Sequence, residues 1–102
     1  MSPEGILAAL PAEGWVEVVG EGELSQDLKA RLGSRADHDR AKRPGTIIET
    51  SGEAAAIAAA LQRVDDLGTI VLAGPVPAKP IALDLYGDLH VRGLTVVGIT
   101  GG

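Results

Sequence analysis

The chain has 102 residues, with 14 acidic against 9 basic side chains for a net charge of -5, and it has no cysteine. That length makes one domain, near the low end of what buries a self-sufficient core. The missing cysteines exclude disulfides and thiolate metal sites. The acidic balance, and the lack of a basic patch interleaved with aromatics, argue against a nucleic-acid groove or an anionic membrane surface. The hydrophobic fraction is 45%, with one Trp, one Tyr and no Phe, so the core must be built from Ala, Val, Leu and Ile. Small Ala-rich helices packed on Val/Ile strands suit an α/β sheet. His38 and His90 are too few and too scattered for a metal site, and none is expected. No apolar run reaches the roughly 18 residues of a membrane span. The opening MSPEGILAALPAEG lacks the cationic start of a secretory signal, so the expected location is the cytoplasm.

In chain order, residues 3–10 predict a helix, with Ser2 as N-cap, Pro3 in its first position and Ile6, Leu7 and Leu10 on one face. Pro11 and Gly14 end it. WVEVVG, 15–20, is a strand. Gly20-Glu21-Gly22 then turns into a helix over about 24–32, where Leu24, Leu28 and Leu32 repeat every four residues and Gly33 stops it. Residues 34–45 are polar throughout and predict a loop. TIIET, 46–50, is the second strand. A helix follows over 53–64, with Ala54, Ile57, Leu61 and Val64 as its apolar stripe and Glu53 in its first turn. TIVLA, 69–73, is the third strand. GPVPAKP is a rigid connection, 83–89 predict a short helix, and 95–99 form the fourth strand.

Alternating strands and helices predict a parallel sheet with right-handed crossovers. Gly or small polar residues gather at the C-terminal strand ends: Gly20, Thr50 and Ser51, Ala73 and Gly74, and Ile99 with Thr100. Open α/β sheets bind ligands there, because backbone amides and helix N-termini converge. Ser51 is equally placed to be the N-cap of helix 53–64.

Two stretches carry a family resemblance. LDLYGDLHVRGLTVVG, leading into the fourth strand, resembles the last crossover of the cofactor domain of medium-chain, zinc-type alcohol dehydrogenases. PAEGWVEVVGEGELSQDLKARLG resembles the opening strand–helix unit of that domain, with its P-x-x-G lead-in, Val-rich strand and G-x-G turn. The resemblance implies a reduced Rossmann-like three-layer fold that binds NAD or NADP. Gly20 would make the tight turn, Gly22 would let backbone approach a pyrophosphate, and Ser25 would replace the small third residue of the fingerprint. Thr50, Ser51, Ala73, Gly74 and Ile99 would line the cofactor at the other strand ends. A Gly turn into a helix with nothing bound explains the first three residues equally well. Glu21 and Glu23 put two carboxylates where a phosphate would lie.

The chain departs from the family after its first helix. The polar loop 34–45 replaces the second and third strands of the parent order 3-2-1-4-5-6. Asp37 and Asp39 fall near the spacing of the ribose-binding acid, and Lys42 and Arg43 near that of a 2′-phosphate partner. None of them ends a strand, so they read as solvated loop charges. Removing strands 2 and 3 leaves 1-4-5-6, which predicts a four-stranded parallel sheet in the order 15–20, 46–50, 69–73, 95–99, all within one truncated domain, 1–102. Treating WVEVVG as the parent's second strand would instead leave a hole in the sheet. The shortened sheet exposes strand edges, which must be paired or blunted, so a homodimer, or docking on a larger protein through a sheet edge, is expected.

The family's separate domain carrying metal ligands or a proton relay has no counterpart here, and GITGG stops where the family's chain returns to that domain. His90 and Tyr86 read as structural, Trp15 as core or interface. No Ser–His–Asp set, carboxylate pair or P-loop lysine is present, so no catalytic residue is expected. The expected function is that of a dehydrogenase-like cofactor-binding domain or fragment with impaired dinucleotide binding. The alternatives are a non-catalytic assembly module of the same ancestry and a small oxidoreductase with a site shared between subunits.

Overall fold

A computed structural model describes residues 3–8, 10, 15–36, 43–73 and 92–98. Within them the chain forms α1 (Pro3–Ala8), β1 (Val16–Val19), α2 (Glu23–Leu32), a 3-10 turn (Gly33–Ala36), β2 (Thr46–Glu49), α3 (Ala54–Arg63), β3 (Thr69–Leu72) and β4 (Thr95–Gly98). The four strands make one sheet in the order β1-β2-β3-β4, and every pairing is parallel. The α/β architecture and the parallel direction are those expected from the alternation of Val/Ile runs with Leu and Ala stripes, and the strand order is the one the resemblance implied. Ser2 and the predicted helix 83–89 lie outside the described residues.

The register sorts the strand side chains into two faces. Val18, Ile48 and Val71 are aligned on one face, while Glu17, Ile47, Ile70 and Val96 are aligned on the other. Leu28 and Leu32 of α2 and Ile6 of α1 pack with Val16, Val18, Ile48 and Val71. Ile57, Ala60 and Leu61 of α3 pack with Ile47, Ile70 and Leu94. Each fully buried Leu or Ile contributes about 1.5–3 kcal/mol by leaving water. Ala60 belongs to the α3 stripe, whereas Ala54 is exposed.

The two helices therefore cover opposite faces. From β1 to β2 and from β2 to β3 the chain steps the same way across the sheet, yet α2 lies over one face and α3 over the other. Two such crossovers have opposite hands, so one of them is left-handed. This corrects the expectation that all crossovers are right-handed, a rule that holds in about 98% of cases. The physical cause lies in β1, which offers Val16 and Val18 to one face and the carboxylate of Glu17 to the other. The leucine stripe of α2 docks on the valines.

The loop expected over 34–45 also begins with structure, since the 3-10 turn lets half-buried Ala36 pack on the first face. At the N-terminal end of the sheet, Arg92 binds the last turn of α3. Its guanidinium donates to Leu61 O (2.6 Å), to Val64 O and to Asp66 Oδ1 (2.8 Å). A cation at a helix C-terminus satisfies carbonyls that have no intrahelical partner and favours the helix dipole.

Candidate functional site

The helices leave the C-terminal ends of β1 and β2 in opposite directions, and between the β1–α2 and β2–α3 turns lies the candidate crevice. On the β1 side, Gly20 has φ +115° and Gly22 has φ +111°, backbone that L side chains rarely adopt. A Cβ on Gly20 would stand 2.1 Å from Thr50 Oγ1 and 3.2 Å from Ser51 N. Gly20 thus lets the end of β1 touch the end of β2. Gly22 is the N-cap of α2 and makes no side-chain cap. A Cβ there would meet nothing within 4 Å. The first intrahelical bond runs from Gln26 N to Gly22 O (3.1 Å), so the first N–H groups of α2 precede the helical ladder.

Ser25, fully buried in the first turn of α2, donates its hydroxyl to Gly20 O (2.9 Å). It braces the turn from beneath. Glu21 and Glu23 are exposed. Thr50 closes the base of the crevice, because both its N–H (2.9 Å) and its hydroxyl (2.8 Å) donate to Val19 O.

The β2 side is built differently. Glu49 is 1% exposed. Its carboxylate accepts from Ser51 N–H (2.8 Å), from Gly52 N–H (2.9 Å) and from the Ser51 hydroxyl. The Ser51 oxygen in turn accepts from Glu53 N–H (3.1 Å). The N-cap of α3 is Glu53, which corrects the alternative assignment of that role to Ser51. Ser51 lies two residues further out because the buried carboxylate bends the chain back before the helix starts. Glu49 ends the second strand beside Thr50 and Ser51, and sequence reasoning gave it no separate role. The one signal for it was an acid followed directly by Thr-Ser-Gly, which is short enough to wrap around a carboxylate.

Of the expected cofactor-lining residues, the fold brings Gly20, Gly22, Ser25, Thr50 and Ser51 to this one place. Ala73, buried, is tied to the β2 end through its N–H to Glu49 O (2.9 Å). Gly74, Ile99, Asp37, Asp39, Lys42, Tyr86 and His90 lie outside the described residues. Arg43 is exposed and precedes β2 at the opposite end of the strands. Trp15 is half-buried at the start of β1.

The donor set fits the diphosphate of a dinucleotide. It consists of backbone N–H groups at a helix start whose N-cap, Gly22, carries no side chain and has nothing within 4 Å of where a Cβ would stand. Among the described residues no cluster of acids and histidines could hold a metal ion. No protein-family model matches the chain, and a search of curated proteins finds no match. Among the described residues no helix is long and apolar enough to cross a membrane.

Proposed function

We propose that the chain is a reduced dehydrogenase-type cofactor domain whose crevice takes the diphosphate of NAD or NADP, without catalysis of its own. The observation that carries this reading is the placement of α2 and α3 on opposite faces. In a sheet of order 3-2-1-4-5-6 the helices after strands 1 and 4 leave in opposite directions. Two right-handed crossovers then put them on opposite faces and open a ligand crevice between them. A chain that lost strands 2 and 3 and kept the first helix where it packed would have this arrangement, including one left-handed step. The resemblance at 11–33 and 83–98 supports the same reading.

In that role Gly22 and the N–H groups opening α2 hold the diphosphate, Ser25 fixes the turn, and Thr50 walls the crevice. The nicotinamide ring of such a cofactor supplies hydride chemistry when bound. Among the described residues, those at the crevice offer no acid, base or nucleophile positioned to use it, since the Glu49 carboxylate is bound within its own turn. The backbone donors work without a basic side chain among the described residues, and exposed Glu21 and Glu23 repel phosphate at low ionic strength. Binding in the millimolar range is expected.

The test is a titration of NADH and NADPH into the purified chain, read by nicotinamide fluorescence and thermal shift. A saturable response abolished by Gly22→Asp supports the proposal, and no response at millimolar cofactor rejects it. A second reading, an assembly module with a cytoplasmic partner or a second copy, is favoured by β1 and β4 being the outer strands of the sheet. A strict monomer by light scattering at micromolar concentration rejects its homodimer form.

A further inference from the structure

The two turns that frame the crevice are in opposite states. At the start of α2 the N-cap is Gly22, which gives the first N–H groups no side-chain acceptor and has nothing within 4 Å of where a Cβ would stand. At the start of α3 those of Ser51 and Gly52 point at the Glu49 carboxylate, and that of Glu53 points at the Ser51 hydroxyl. A carboxylate at 1% exposure is costly to bury unless hydrogen bonds replace its water. Glu49 obtains all three of its donors from the two residues that follow Thr50.

We propose that Glu49 is a specificity-determining residue of the crevice. Its carboxylate is an internal anion that fills the β2–α3 turn and leaves only the β1–α2 turn to take phosphate from a ligand. A second anionic group over the end of β2 meets donors already engaged and a buried negative charge. The ligand class that fits carries its phosphate over β1 and an uncharged portion, such as a sugar or an amide, over β2. The ligand half of this inference rests on the function proposed above, whereas the internal anion stands on geometry alone.

The experiment uses the isotope-labelled full chain, with sodium formate and inorganic phosphate as probes and sodium chloride as the ionic-strength control. In the wild type, phosphate is expected to move the amide resonances of Gly22 to Leu24 and to leave Ser51 and Gly52 unmoved, as formate also does. In Glu49→Ala, formate is expected to shift Ser51 and Gly52 and to raise the melting temperature, with no such effect of chloride. A folded Ala variant whose Ser51 and Gly52 ignore formate overturns the proposal. So does a wild type in which those amides respond to formate as the variant's do. If the Ala variant does not fold, Glu49→Gln decides. One charged acceptor lost from the turn should speed exchange of the Ser51 and Gly52 amides about tenfold, and wild-type exchange rates would overturn the inference. A wild type that ignores NADH and phosphate while its Ser51 and Gly52 behave as described rejects the dinucleotide reading and leaves the internal anion standing.

Discussion

Gly20→Ala tests whether the contact between the ends of β1 and β2 is what requires glycine. Two separate costs are expected. The first is conformational: at φ +115° an alanine backbone is strained by about 1–3 kcal/mol. The second is steric: the new methyl would stand 2.1 Å from Thr50 Oγ1. Thr50 cannot simply rotate away, because that hydroxyl is hydrogen-bonded to Val19 O and its N–H holds the same carbonyl. Moving it costs about 1 kcal/mol for the bond and about 1–3 kcal/mol for the displaced packing. Gly22→Ala is the internal control. It has nearly the same φ and nothing within 4 Å of the new methyl, so it bears the conformational cost alone. Urea unfolding followed by the fluorescence of Trp15, the one tryptophan, should show Gly20→Ala destabilised beyond Gly22→Ala by about 2–4 kcal/mol. That is a large part of a typical domain stability of about 5–15 kcal/mol. Thr50→Ala removes the obstructing oxygen. In that background most of the excess of Gly20→Ala over Gly22→Ala should vanish, leaving only the close approach to Ser51 N (3.2 Å), a positive coupling in the double-mutant cycle. Equal costs for the two glycines, or no coupling to Thr50, would refute the argument.

Three further outcomes can be measured in the same way. Leu67 is 82% exposed with φ +63°, so Leu67→Gly removes about 1–2 kcal/mol of left-handed strain. It adds roughly 0.5–1 kcal/mol of unfolded-state entropy, and the variant should unfold at slightly higher urea. Arg92→Ala should cost about 2–3 kcal/mol, because two α3 carbonyls lose a charged donor. Asp66→Ala, at the exposed end of the same contact, should cost under about 1 kcal/mol. A larger loss for Asp66 would contradict the assignment of the stabilisation to the helix end. Glu17 pairs with half-exposed Arg63, yet its buried Oε2 has no hydrogen-bond partner among the described residues. Glu17→Val should therefore be neutral or stabilising by about 1 kcal/mol, whereas Arg63→Ala, which leaves the carboxylate alone, should destabilise.

Strand positions were legible because each strand is a β-branched run bounded by Gly or polar residues, and their order was expected from the resemblance, in which removing two strands on one side of the sheet would leave contiguous neighbours. Element ends shifted by a residue or two where capping decided them. Gly22 and Glu53 serve as N-caps without any side-chain bond, so the usual preference for Ser at such positions misdirected the assignment at Ser51. The opposite faces of α2 and α3 were only half legible. The Val16/Val18 face of β1, set against Glu17, marks where the α2 leucines must go. No such mark exists for α3, since Ile47 and Ile48, and likewise Ile70 and Val71, make β2 and β3 apolar on both faces. Glu49 was hidden for a related reason, because an acid at a strand end reads as solvated until the fold shows what surrounds it.

In the proposed reading a four-stranded sheet must open a crevice between neighbouring strands. With order β1-β2-β3-β4 and uniformly right-handed crossovers, both βα turns would fold to the same face, and adjacent strand ends would leave no gap. Here α2 keeps to the valine face of β1 while α3 takes the other. Between the two turns Thr50 ties the strand ends together through Val19 O, and the Glu49 carboxylate engages the Ser51 and Gly52 amides. In the proposed reading, the crevice thus depends less on the number of strands than on a single packing choice, the docking of Leu28 and Leu32 onto Val16 and Val18. That choice outweighs the chain's general preference for right-handed connections because the alternative would set a leucine stripe against Glu17.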